Sequence, residues 1–132
     1  MTHGAVLPVY VLDDAGSDPW RWGAAKRWWL HHSLAALQAS LAKLGTQLIL
    51  RRGAGADIIP ALAAEAGADA VFWNRCYEPR AIARDTALKA GLKKEGIAVE
   101  SFNAGMLGEP WEIATGEGKP YAVFSPFWKA LR

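Results

Sequence analysis

The chain has 132 residues and a formal charge of +2, with 52% hydrophobic and 21% charged residues. This composition is typical of one globular domain with a sizeable core, and it excludes a disordered or fibrous protein. The basic residues are scattered along the chain, so charge alone gives little indication of a nucleic-acid surface.

The first half of the chain alternates strand and helix patterns. Residues 5–13, AVLPVYVLD, form an apolar run that predicts a buried strand. Regularly spaced leucines then predict one stripe of a helix that ends at Gly45. Residues 46–53 predict a second strand, and residues 57–67 a second helix in which Pro60 is acceptable only because it lies in the first turn. The leucines are Leu30, Leu34, Leu37, Leu41 and Leu44.

The second half continues the alternation. Residues 69–74 predict a third strand, residues 79–96 a third helix, and residues 97–102 a fourth strand. Such an order requires right-handed crossovers, so the predicted fold is α/β, a doubly wound, mainly parallel sheet with helices on both faces. We expect this domain to span residues 1–115. The aromatic residues of segment 116–132 predict a surface that packs on the domain or continues into a linker.

Polar residues cluster where the third strand ends, in the sequence WNRCYEP. Ligands of doubly wound sheets bind beyond the carboxyl ends of the strands. Asn74 and Glu78 could hydrogen-bond a ligand and Arg75 could supply a charge, while Trp73 or Tyr77 could form an aromatic wall. The alternative is a capped turn in which Asn74 closes the strand and Glu78 starts the helix. The residues alone favour neither interpretation.

Other candidate motifs are weak. The loop RRGAGAD lies between a strand and a helix, but the third glycine of a phosphate-binding loop falls on Ile58, which favours a simple tight turn. His31 and His32 are neighbours on a helix and point about 100° apart, and they have no matching ligands, so we predict no metal site. We also predict no catalytic residue.

The single cysteine, Cys76, indicates a reducing compartment, and we interpret it as a small buried hydrophobe rather than a nucleophile. No apolar run reaches the roughly 20 residues of a membrane span. The first twelve residues lack the features of a signal peptide. We therefore expect a cytoplasmic protein that does not contact a membrane.

Five segments, read in order, resemble the amino-terminal α/β domain of DNA photolyases and cryptochromes. VLPVYVLD resembles the second strand of that family, KRWWLHHSLAALQASLAKLG its second helix, and LILRRG its third strand. DIIPALAAEAGADAVFWNRCYEP with ARD resembles the fourth strand and its flanks. GKPYAVFSPFWKALR resembles the passage into the interdomain linker.

The resemblance implies a domain that binds an antenna chromophore and passes light energy to FAD in a helical domain. FAD binding and DNA contact are then expected only in that helical domain, where light-driven repair of pyrimidine dimers takes place. Members with a flavin or deazaflavin antenna use positions that resemble Asp13, Arg27, Cys76 and Glu78, and we add Asn74 as a further candidate. A folate antenna is disfavoured, because Arg80 and Ala81 stand where folate-binding members have Asn and Glu.

The family's first strand, with its VWFRRDLR pattern, has no counterpart here. That strand is central in the usual order, so we expect unpaired backbone between strands 5–12 and 69–74. Direct pairing, strand exchange with a partner chain in a homo-oligomer, or a strand missing from the given sequence could close this gap. Two rivals to the antenna hypothesis remain, a nucleotide-binding protein of the universal stress type and a cryptochrome-like or regulatory remnant.

Overall fold

The structure is a computed structural model that describes residues 4–14 and 22–132. Its elements follow the predicted alternation of strands and helices. In chain order they are β1 (Val9–Leu12), α1 (Ala24–Ala42), β2 (Ile49–Arg52), α2 (Gly55–Ala66), β3 (Ala70–Asn74), α3 (Pro79–Lys94), β4 (Ala98–Phe102) and α4 (Phe124–Leu131).

The strands form two separate parallel pairs. β1 pairs with β2, with Val9 opposite Ile49, and β3 pairs with β4, with Ala70 opposite Ala98. Within the described residues, neither pair is hydrogen-bonded to the other. In this part of the chain the predicted sheet therefore exists as two halves, and direct pairing of the flanking strands, one of the expected ways to close the gap, is not found.

The backbone groups at the open edges can be identified from the hydrogen bonds inside each pair. The carbonyls of Pro8 and Leu12 accept bonds from the β2 side. Because backbone groups alternate sides along a strand, Val9 and Val11 direct their N–H and C=O groups away from β2. The same alternation turns the backbone of Asn74 away from β4, since the neighbouring Arg75 N–H donates to Phe102.

Helix α2 connects the two halves, because it contacts β1 as well as α3. Its residue Ala63 forms the buried core with Leu88 and Leu92 of α3. Half-buried side chains of the second pair, including Val71 and Val99, pack against this cluster. The core therefore lies between α2, α3 and the β3–β4 pair.

Helix α1 corrects one expectation about the core. Leu37 and Leu44 of its leucine stripe are exposed, the other three leucines are only half-buried, and no residue of the helix is buried. The β1–β2 pair offers a surface only two strands wide, which is too small to cover the stripe. The Leu48 N–H donates to Gln38 Oε1 at 2.8 Å and ties the following segment back to this helix.

Two helices that contain a proline differ from the sequence prediction. Helix α2 starts two residues earlier than predicted, so Pro60 lies beyond its first turn and removes the hydrogen bond to the Ala56 carbonyl. Helix α4 was not predicted from the sequence. Pro126 is its third residue, a position where no intrahelical N–H bond is lost.

We expect Leu92→Ala to destabilise the protein by about 2–5 kcal/mol, because Leu92 is 0% exposed and lies in the core cluster. The matched control is Leu44→Ala, since Leu44 is 80% exposed. The control should change stability by no more than about 0.5 kcal/mol. Urea unfolding of both variants measures the difference, and equal losses would contradict the assigned core.

Candidate functional site

The carboxyl end of β1 is fixed to the start of α2. Asp13 Oδ2 accepts a hydrogen bond from the Gly55 N–H at 3.0 Å. The carboxylate therefore satisfies one of the free N–H groups of the helix N-terminus, where a negative charge is also favoured by the helix dipole. Asp13, predicted as a ligand residue, thus has a structural contact already, while its side chain remains exposed.

The next residue, Asp14, forms ion pairs with two arginines. Arg52 donates to both of its carboxylate oxygens, at 2.9 and 3.1 Å. Arg27 approaches the same carboxylate at 3.5 Å and also donates to the Trp22 carbonyl. The hydrogen bond and charge of Arg52, followed by the charge of Arg27, hold the pKa of Asp14 below its usual value. Arg27 is therefore held near the end of β1, next to Asp13.

Arg84 of α3 is a further charged residue in this region, and sequence reasoning did not single it out. Partial burial lowers its pKa, but the hydrogen bond that it donates to Asp85 and the charge of Asp85, followed by weaker electrostatic contributions of Cys76 and Asp13, outweigh this and leave the pKa raised. Arg84 Nε donates to Asp85 Oδ1 at 2.8 Å. This ion pair lies within α3, and the influence of Asp13 and Cys76 on Arg84 is electrostatic only.

The polar cluster after β3 divides into two sets by exposure. Asn74, Cys76 and Glu78 are exposed, while Arg75 and Tyr77 are half-buried. This alternation continues the two-residue period of the strand. Exposure of Cys76 corrects the expectation that it is a buried hydrophobe.

Glu109 holds the two half-buried members of this cluster. It is 3% exposed and accepts hydrogen bonds from Arg75 Nε at 2.8 Å and from the Tyr77 hydroxyl. Its own N–H donates to Glu112 Oε2. The segment between β4 and α4 is thereby fixed against the end of β3. Nothing in the sequence around Glu109 indicates this pairing, because it joins residues more than thirty positions apart and follows no local pattern.

An open depression of about 410 Å³ lies beside this cluster. The predicted residues Cys76 and Glu78 line it, together with Arg75, Tyr77, Gly105 and Met106. The lining contains neither Asp13, Arg27 nor Asn74. Asp13 is instead bound to the Gly55 N–H, and Asn74 is the exposed last residue of β3.

Two details bear on the choice between ligand site and capped turn. Glu78 is the residue before α3, but its carboxylate makes no capping hydrogen bond. Trp73 does not line the depression, and its indole N–H donates to Asp85 Oδ2 at 3.1 Å. Tyr77 rather than Trp73 is therefore the aromatic residue that lines the depression, and the Glu78 carboxylate lines it without a capping hydrogen bond.

Over residues 4–14 and 22–132, no three side chains of His, Cys, Asp or Glu form a group that could hold a metal ion. In the same ranges, no helix is both long and apolar enough to cross a membrane.

A family model described as DNA photolyase matches residues 2–132. The match spans nearly the whole chain, so the chain belongs to the DNA photolyase family. Its parallel strands and flanking helices are those of the family's Rossmann-like α/β domain, as the resemblance implied.

Individual relatives include both photolyases and cryptochromes. The chain is 46% identical over 128 residues to a deoxyribodipyrimidine photo-lyase of Agrobacterium fabrum, covering 97% of this chain and 26% of that protein. It is 39% identical over 129 residues to cryptochrome-1 of Arabidopsis thaliana, covering 96% of this chain and 19% of that protein.

Among solved structures, a class III photolyase from Agrobacterium tumefaciens matches with a TM-score of 0.85 and 46% identity. The match covers 98% of this chain and 26% of that one. The chain therefore spans only 19–26% of the length of these three relatives and corresponds to a portion of a photolyase-type protein.

We expect Glu109→Gln to lower the pKa of Tyr77. In the folded protein that pKa is raised, first by the hydrogen bond to Glu109, then by burial and by the Glu109 charge. A raised tyrosine pKa stabilises the fold at neutral pH, and this contribution is lost as the pH rises through the folded-state value. Near-ultraviolet tyrosinate absorbance against pH measures the change. Glu117→Gln, on an exposed pair with Lys119, is the control, and an unaltered Tyr77 titration in Glu109→Gln would contradict the assignment.

Proposed function

We propose that this chain is the antenna-binding part of a photolyase-type protein and passes absorbed light energy to FAD bound elsewhere. The observation that supports this most is the depression at the carboxyl end of β3, lined by Cys76 and Glu78, in a chain that belongs to the photolyase family. Light-driven repair of pyrimidine dimers, FAD binding and DNA contact are assigned to a helical domain, as the resemblance implies. A cytoplasmic location is also proposed, supported by the lone free thiol of Cys76.

The proposed chromophore is a flavin or deazaflavin. In this proposal the ring lies in the depression, where the Tyr77 ring offers a wall and the Glu78 carboxylate accepts a ring N–H. Arg84 supplies a positive charge between the ends of β1 and β3, near Asp13 and Cys76. Arg27 and Asn74 remain candidate ligand residues, although they lie outside the lining of the depression. A folate antenna is not proposed, because Arg80 and Ala81 lack the carboxylate and amide of folate-binding members.

The absorption spectrum of the purified chain, and of the chain mixed with riboflavin or a deazaflavin, tests this proposal. Binding should shift the visible band of the chromophore, and Glu78→Gln should weaken binding about tenfold by removing a charged acceptor. Glu65→Gln, at an exposed position of α2, is the matched control.

The same experiment separates the rivals. Retention of an adenine compound would favour the nucleotide-binding alternative and count against an antenna. No binding of any chromophore by a folded chain would favour a regulatory or interaction role. Photolyase is proposed over cryptochrome on the stronger of the two matches, 46% against 39% identity. A repair assay on a longer protein that contains this chain decides between them.

We further propose that the edge of β1 that faces away from β2 pairs with a second copy of the chain, as a homo-oligomer or by strand exchange. Val9 and Val11 direct backbone groups to this edge. Unpaired strand edges favour association, because each free N–H and C=O gains a partner when a further strand is added.

Val11→Pro tests the proposed association. Proline removes an N–H that faces away from β2, so the β1–β2 pair keeps its hydrogen bonds while the open edge loses a donor. We expect the variant to be monomeric where the parent chain forms dimers or larger species in sedimentation experiments. Val11→Ala keeps the donor and is the control. A parent chain that is monomeric at all concentrations, or a variant that associates equally, would contradict the proposal.

A further inference from the structure

A second cavity lies on the α3 side of the Arg75 and Tyr77 side chains. Its volume is about 160 Å³, and it is formed by residues of β3, β4 and α3 together with Trp111. It shares Arg75, Cys76 and Tyr77 with the open depression, but Glu78, Gly105 and Met106 line only the depression, while Trp73, Lys89 and Trp111 line only this cavity.

The charged side chains around this cavity leave one positive charge without a carboxylate. Arg75 pairs with Glu109 at 2.8 Å, and Arg84 pairs with Asp85 at 2.8 Å. Lys89 donates to the neutral Ser101 hydroxyl at 2.6 Å, and no carboxylate among the described residues lies within 4.0 Å of it.

Asp85 is one helical turn before Lys89 and is the obvious candidate partner, but it is already engaged. Its Oδ1 accepts from Arg84 and its Oδ2 accepts from the Trp73 indole N–H. A half-buried ammonium with only a hydroxyl acceptor has lost part of its hydration without gaining a counter-charge. An anion that enters the cavity would supply that counter-charge.

The remaining walls are suited to a flat apolar group. The indoles of Trp73 and Trp111 contribute to the cavity, and the Lys89 ammonium lies 5.7 Å from the centre of the Trp73 ring. A cavity of about 150 Å³ is large enough for one benzene ring. Ring faces of tryptophan pack well against a second aromatic ring.

We propose that this cavity binds a small aromatic monocarboxylate, with the carboxylate at Lys89 and the ring against Trp73 and Trp111. One unpaired cation matches one negative charge. Arg75 is less able to bind a further charge, because its Nε donates to Glu109 and its Nη1 to the Ser101 carbonyl. A phosphate dianion would therefore lack donors, and an aliphatic acid would lack ring contacts.

Ligand-detected NMR titration of the whole chain with benzoate tests the proposal. We expect binding in the millimolar range or tighter, and Lys89→Met should weaken it by about tenfold to a hundredfold, because it keeps the apolar stem and removes the charge. Lys93→Met, at an exposed position of the same helix, is the matched control and should bind like the parent chain.

A second variant keeps the test valid if Lys89→Met fails to fold. Trp111 is 62% exposed, so Trp111→Ala should leave the fold intact and still weaken benzoate binding several-fold. Cyclohexanecarboxylate and inorganic phosphate should compete poorly with benzoate. The proposal is overturned if benzoate fails to bind the folded chain, if neither variant weakens its binding, or if phosphate displaces it equally well.

Discussion

The structure depends on helix α2, because this helix is what connects the two strand pairs. No backbone hydrogen bond joins β1–β2 to β3–β4 within the described residues. The relative position of the two pairs therefore depends on the elements that pack between them. Helix α2 contacts β1 and α3, and its Ala63 lies in the buried core with Leu88 and Leu92. At the same helix, Asp13 binds the N-terminal N–H of Gly55. The relative position of the two strand ends follows from this arrangement, since Asp13 follows β1 and is bound to α2, while Cys76 follows β3 of the other pair.

Much of this fold could be predicted from local sequence patterns. Valine-rich runs predicted strands, and Pro79 predicted the start of α3. Both predictions were possible because strand period and helix-start chemistry are encoded in neighbouring residues. The leucine stripe of α1 predicted a helix correctly but not its burial, which depends on how wide a sheet is available to cover it. Helix α4 was missed because the glycines and prolines before it and Pro126 within it are typical of turns, although Pro126 occupies a position that tolerates it.

The candidate site was predictable only in part. The strand-end rule located the cluster at Asn74 to Glu78, and Cys76 and Glu78 do line a depression there. The contributions of Glu109 and Arg84 could not be read from the sequence, because each acts through partners on other elements. Only the tertiary structure shows that the polar residues divide into a set held by Glu109 and a set open to solvent.

The weak burial of α1 has a consequence for how any ligand at the strand ends would be bound. The chain contains one well-packed tier, α2 with α3, β3 and β4, and one loosely packed tier, α1 with β1 and β2. The loose tier is expected to open locally at a lower free energy than the core. A chromophore that touched both Asp13 and Cys76 would have to order the loose tier on binding, which would use part of its binding free energy. Its affinity would then depend on the stability of the domain as well as on the contacts in the pocket.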